Sequence, residues 1–160
     1  MNELKEVEVF AGLRPDGEPV AEKMQVKVLG DGEYELVRSP CFVKGLASGD
    51  AIKFDEADNS FEITKHSGNL CIRVIARESL SLLAQDLTPL IEQLGGSLDF
   101  ETPRMLVFSI HVSCGFKEIE AILNDHIDEA SGSIWFYGNV YDPQDGVTPL
   151  NWWLPILQEK

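Results

Sequence analysis

The chain has 160 residues, with 27 Asp and Glu against 13 Lys and Arg, for a formal charge of −14. An apolar fraction of 44% and a charged fraction of 25% are those of a globular chain with enough apolar surface for a full core. The acidity excludes binding to a phosphate backbone or to an anionic membrane surface, both of which need concentrated Lys and Arg. It is shared by the two halves: residues 1–69 hold 8 basic and 14 acidic side chains, and residues 70–160 hold 5 and 13.

Cys41, Cys71 and Cys114 are odd in number, widely spaced and without a CxxC pair, which speaks against a disulfide framework or a structural zinc site. With no basic-then-apolar leader and no apolar run of membrane-spanning length, the expected localisation is cytoplasmic.

Residues 1–68 are expected to form a small β module. Val7–Phe10 is apolar at all but one position and ends at Pro15-Asp16-Gly17. Met24–Val28 alternates with period 2, Gly30-Asp31-Gly32 offers a tight turn, and Tyr34 and Leu36 make the return strand. Ala51–Phe54 and Phe61–Thr64 complete a third hairpin around Asp58-Asn59. Turns every 8–12 residues without a helical stretch suggest a small β-barrel or open roll.

Residues 69–141 follow a different pattern. Leu70–Ala76 is a nearly continuous apolar run, the mark of a central strand. Leu80, Leu83, Leu87, Leu90, Ile91 and Leu94 share one helical stripe, which Pro89 either kinks or restarts. Leu98–Phe100 is a short strand. Between Met105 and Val112, Leu106, Phe108, Ile110 and Val112 alternate with Val107, Ser109 and His111. Phe116, Ile119, Ile122, Leu123 and Ile127 make a second amphipathic helix closed by Ser131-Gly132-Ser133, before the strand Ile134–Tyr137. The order βαββαβ is that of a ferredoxin-like sandwich, so the expected class is α+β. Residues 142–160 form a tail whose Trp152 and Trp153 are too apolar to stay in water, and they dock on their own chain or across a homodimer interface.

At Gly30-Asp31-Gly32-Glu33-Tyr34, at Pro40-Cys41-Phe42-Val43-Lys44-Gly45-Leu46-Ala47-Ser48-Gly49-Asp50 and at Ile72-Arg73-Val74 the chain resembles a bacterial family of unknown function. The resemblance covers residues 5–140 and implies a hairpin-rich N-terminal module joined to a βαββαβ half. Family members often carry a His in the loop before the Ile-Arg-Val strand, where Asn69 stands here and His66 is the nearest imidazole. No activity comes with the resemblance.

The sandwich leaves one sheet face without helices, and there Arg73, His111, Trp135 and Tyr137 are candidates to gather around a carboxylate-bearing ligand or to assist acid–base work. The competing account has the N-terminal module or the tail covering that face, with His111 at an interface. His126, between Asp125 and Asp128, has no second ligand at helical spacing, so no metal site and no cofactor are expected. Cys114 opens the second helix, but its acidic neighbours argue against a reactive thiolate. The Gly45–Asp50 loop follows no parallel strand and opens no helix, so it is a structural turn and not a phosphate cradle. Small size, acidity and the missing catalytic motifs point to a non-enzymatic protein-interaction module, of the immunity type. The alternative is a small-molecule binder or enzyme built around Arg73 and His111.

Overall fold

The computed structural model describes residues 3–128 and 132–158, so Ser131 of the expected closing turn and the outermost residues of both terminal segments lie outside the described residues. Among the described residues two antiparallel sheets and three α-helices make a mixed α+β protein. The first sheet contains β1 (Leu4–Leu13), β2 (Pro19–Gly30), β3 (Glu33–Leu36), β4 (Ala51–Asp55) and β5 (Ser60–Lys65), each paired with its neighbour in sequence.

Strand periodicity sorts the side chains of this sheet. Val7, Val9, Met24, Val26, Tyr34, Leu36 and Ile52 fill one face, and Val43 and Leu46 from the long loop after β3 close over it. The opposite face carries Glu6, Glu8, Lys23, Gln25, Lys27 and Glu35 into water, with Lys27 and Glu35 3.7 Å apart. The expected barrel does not close. Among the described residues β1 and β5 form no ladder, and Phe10 N–H donating to the Asn59 carbonyl at 3.0 Å is the hydrogen bond that joins these edges. Closure requires strands staggered around the whole circumference, and the four residues of β3 are too few to carry that stagger.

The second sheet has the order β7-β8-β6-β9, with every pair antiparallel. Its elements are β6 (Asn69–Ala76), α1 (Ser81–Gln93), β7 (Ser97–Thr102), β8 (Met105–His111), a 3-10 turn (Val112–Cys114), α2 (Phe116–His126) and β9 (Ser133–Tyr137). Helix α1 runs through Pro89 as a single helix. Both helices lie on one face, where Leu70, Ile72 and Val74 of β6 and Leu106, Phe108 and Ile110 of β8 meet Leu87 and Ile91 of α1 and Ile119 and Leu123 of α2. The last helix, α3 (Trp153–Gln158), joins this core: Trp153 is 8% exposed and lies edge-on to Phe116, with ring centroids 5.2 Å apart.

The other face of the second sheet is partly covered by the loop between β3 and β4, and this seam joins the two sheets. Cys41 and Ala47 from the loop pack against Cys71 and Val107. Beside them Ser39, Ser48 and Ser109 form a hydroxyl chain: Ser39 Oγ lies 2.6 Å and Ser48 Oγ 3.0 Å from Ser109 Oγ. That chain ends on the Asp99 carboxylate, which accepts from Ser109 Oγ and from Ser39 N–H at 2.8 Å.

Candidate functional site

Arg73 is a fully buried charged side chain at the seam, at 2% exposure. Its guanidinium donates to the carbonyls of Pro40 (3.3 Å), Phe42 (3.4 Å) and Val43. Glu22, reaching from β2, grips the same segment by its other polarity and accepts from the N–H groups of Cys41, Phe42 and Val43 at 2.7, 2.9 and 3.0 Å. Three carbonyls of this segment (Pro40, Phe42 and Val43) are thus held by one charged side chain, and its three amides by another. A segment without strand partners still has to satisfy its backbone groups when it is buried, and here two side chains supply what a sheet would. Arg73 is therefore spent on the seam and is not offered to a ligand.

The four expected site residues do not converge. In an antiparallel pair, residues directly opposite share a face. Arg73 stands opposite Phe136, whereas Val74 stands opposite Trp135 and Ile72 opposite Tyr137. Trp135 and Tyr137 consequently point to the helix side, where Trp135 Nε1 donates to Asn124 Oδ1 and Tyr137 OH donates to Glu120 Oε2, each at 2.9 Å. Burial, with Glu120 beside it, pushes the Tyr137 phenol well above its usual range. Ile134 and Phe136 occupy the positions on the far face and are partly exposed.

His111 shares the face of Arg73 but lies four residues along β8 from its partner Val107, at the strand end. Its Nδ1 accepts from Ser113 N–H at 3.1 Å and caps the 3-10 turn, with Ser113 Oγ 2.8 Å away. His66, just after β5, comes to the same place and was not among the expected site residues. The two imidazoles line one cavity of about 580 Å³ together with Lys65, Ser67, Ser113, Ile156 and Leu157. His66 stacks flat on Trp152, with centroids 4.8 Å apart and planes 9° apart, and Trp152 Nε1 donates to the Asn139 carbonyl at 2.8 Å. Burial holds the His66 imidazole below its usual range, opposed by the Asp50 carboxylate. His66 Nδ1 is buried without a hydrogen-bond partner. A signal for this contact was present in the tail: two adjacent tryptophans need flat partners.

Asp50 explains the Gly45–Asp50 loop. Its carboxylate accepts from Ala47 N–H at 3.0 Å and from Ser67 N–H at 2.8 Å, fixing the loop against the strand end that carries His66. Burial raises its carboxyl above the ordinary range, and those two amides pull it back. At Gly49, with φ +83°, a Cβ would lie 2.9 Å from Ser67 Cβ, so the glycine is required by both backbone and space.

Two other candidates settle on geometry. Burial raises the Cys114 thiol and Glu118 adds to it, the reverse of an activated helix-terminal cysteine. His126 Nδ1 lies 2.9 Å from the Ile122 carbonyl within α2. Among the described residues no group of three or more His, Cys, Asp and Glu side chains is arranged to hold a metal ion, and no helix is long and apolar enough to cross a membrane.

A second concavity, of about 490 Å³, opens at the tip of the first sheet between the β2–β3 and β4–β5 turns. Asp31, Asp55, Glu56 and Glu62 line it with Phe54 and Phe61, and Lys53 is the one basic residue of its lining. Glu56 also meets Lys5 at 3.1 Å, an exposed pair that contributes little.

Residues 22–134 match the family described as Domain of unknown function (DUF4265), well over half of the chain. The fold is similar to the crystal structure of a hypothetical protein from Neisseria gonorrhoeae, with a TM-score of 0.65 at 20% identity over 86% of this chain and 94% of that one. No curated protein matches.

Proposed function

The chain belongs to the DUF4265 family, and we propose that it is a non-enzymatic protein-interaction module of the immunity type, cytosolic and bacterial, whose partner presents a basic segment to the acidic cleft at the tip of the first sheet. The observation that carries this reading is the cleft itself: four acidic residues line it with a single lysine among them, and Glu62, Asp55 and Lys53 stand on the face of the β4–β5 pair away from the core. Charges of one sign gathered along one concavity add their fields and speed encounter with a partner of the opposite sign. The far face of the second sheet, whose Arg73 is consumed by loop carbonyls, supports the competing small-molecule reading less well.

On the same footing, we divide the chain at 68/69 and at 141/142, and assign residues 69–141 to the ferredoxin-like class. Support comes from the order β7-β8-β6-β9 and from two helices on one face.

The test is differential capture. Wild-type protein and the variant carrying Asp55→Lys and Glu62→Lys are used as baits in lysate of the native host at low and at raised salt, and retained proteins are identified by mass spectrometry. A basic protein held by wild type, and lost both on charge reversal and on raising the salt, is the expected result. Identical retained sets for both baits at both salts would sink the proposal.

A further inference from the structure

We propose that the cavity between the end of β5, the end of β8 and α3 binds a small organic oxyanion, a carboxylate or phosphomonoester bearing a short apolar group. In a chain of 27 acidic residues, the lining of this cavity contains no carboxylate among the described residues. What faces it donates. Lys65 brings an ammonium group. His111 Nδ1 is occupied as acceptor of the Ser113 N–H, so the neutral ring carries its proton on Nε2. His66 also lines the cavity; its Nδ1 is buried and has no acceptor, which favours the neutral tautomer with its proton on Nε2, available to donate.

The donors are held in place before any ligand arrives. His66 is fixed by its stack on Trp152, and His111 by its cap on the 3-10 turn. Gly68, with φ +99°, lies between them, and a Cβ there would fall 2.3 Å from His111 Nε2, so only glycine leaves the ring where it is. Ile156 and Leu157 of α3 supply an apolar wall opposite the donors. Preformed donors beside an apolar wall suit an amphipathic anion, because no side chain has to be reorganised to receive it.

The three histidines of the chain allow the protein to report on itself. Long-range proton–nitrogen spectra of the imidazoles are recorded while sodium butyrate or inorganic phosphate is added, with sodium chloride as the ionic-strength control. The expected result is saturable movement of His66 and His111 for one of the two probes, with a Kd of about 1 mM or tighter. His126, tied within α2, stays still. Saturation by butyrate identifies the carboxylate source and saturation by phosphate the phosphoryl source. Lys65→Ala, which removes an exposed side chain and leaves the fold intact, weakens that binding by about tenfold or more. The inference is overturned if neither probe saturates His66 and His111, if all three imidazoles move together as they do with chloride, or if Lys65→Ala binds as wild type does.

Discussion

Replacing Arg73 by Met tests the account of the seam most directly, because methionine keeps most of the buried stem and removes the donors. Of the three contacts, that to the Val43 carbonyl is close and those to Pro40 at 3.3 Å and Phe42 at 3.4 Å are both long, so the set is weighed as two bonds from a charged group. Hydrogen bonds involving a charged group contribute about 1.5–3 kcal/mol each, so the substitution costs about 3–6 kcal/mol. Against a total stability of about 5–15 kcal/mol that is a large fraction. For a chain of this size it lowers Tm by about 6–24 °C. Thermal unfolding followed by tryptophan fluorescence gives the number, and amide exchange at Cys41, Phe42 and Val43 gives the location. Those amides are held by Glu22 and lose protection when the carbonyl side of the clamp is cut. A Tm drop under about 3 °C with unchanged exchange at residues 41–43 would refute the reasoning, since a merely packed arginine stem would behave in that way.

Trp153→Ala removes a ring that is 8% exposed and packed on Phe116, and costs about 3–5 kcal/mol, measured by urea unfolding; truncation after Tyr141 likewise lowers Tm. For pH, burial lowers the His66 pKa below its unfolded value, so the folded state binds fewer protons there. The His66 contribution is therefore complete above about pH 6.5 and is lost as pH falls below that value. Wild type loses more Tm than His66→Gln between about pH 7.5 and 5.5, and equal losses would show that the ring titrates as it does in the unfolded chain.

The alternation of Met24–Val28 was legible because one face of that strand is buried, which writes period 2 into the sequence; β8 is buried on both faces, and only Ser109 and His111 kept its alternation visible. The stripe of α1 was legible in spite of Pro89, because six apolar residues at helical spacing outweigh one missing amide. Register was not legible. Arg73, Trp135 and Tyr137 were placed on one face from strand order alone, and the pairing of Arg73 with Phe136 turns both aromatic residues to the other side. A one-residue shift in register reverses every such assignment, and nothing local in Ile134–Tyr137 specifies it. The clamp on residues 40–43 was hidden for a related reason. Glu22 and Arg73 are 51 positions apart in numbering and meet only through a loop with no periodicity of its own. Likewise His66 and His111 meet because two strand ends do, and the sequence carried only the hint that Trp152 and Trp153 needed partners.

The seam also sets an order of events during synthesis. Each strand of the first sheet pairs with its nearest neighbour in the chain, so that sheet has all its strands once residue 65 has left the ribosome. The loop after β3 is in a different position. Its carbonyls wait for Arg73, 30 to 33 residues further on, and Ser39 waits for Asp99 and Ser109, 60 and 70 residues further on. Contacts of such separation pay their loop-closure entropy before they return any stability. A nascent chain stalled between residues 65 and 99 therefore holds an assembled meander with Cys41 and Ala47 still uncovered by Val107, an apolar surface that a ribosome-associated chaperone has reason to hold until β8 arrives.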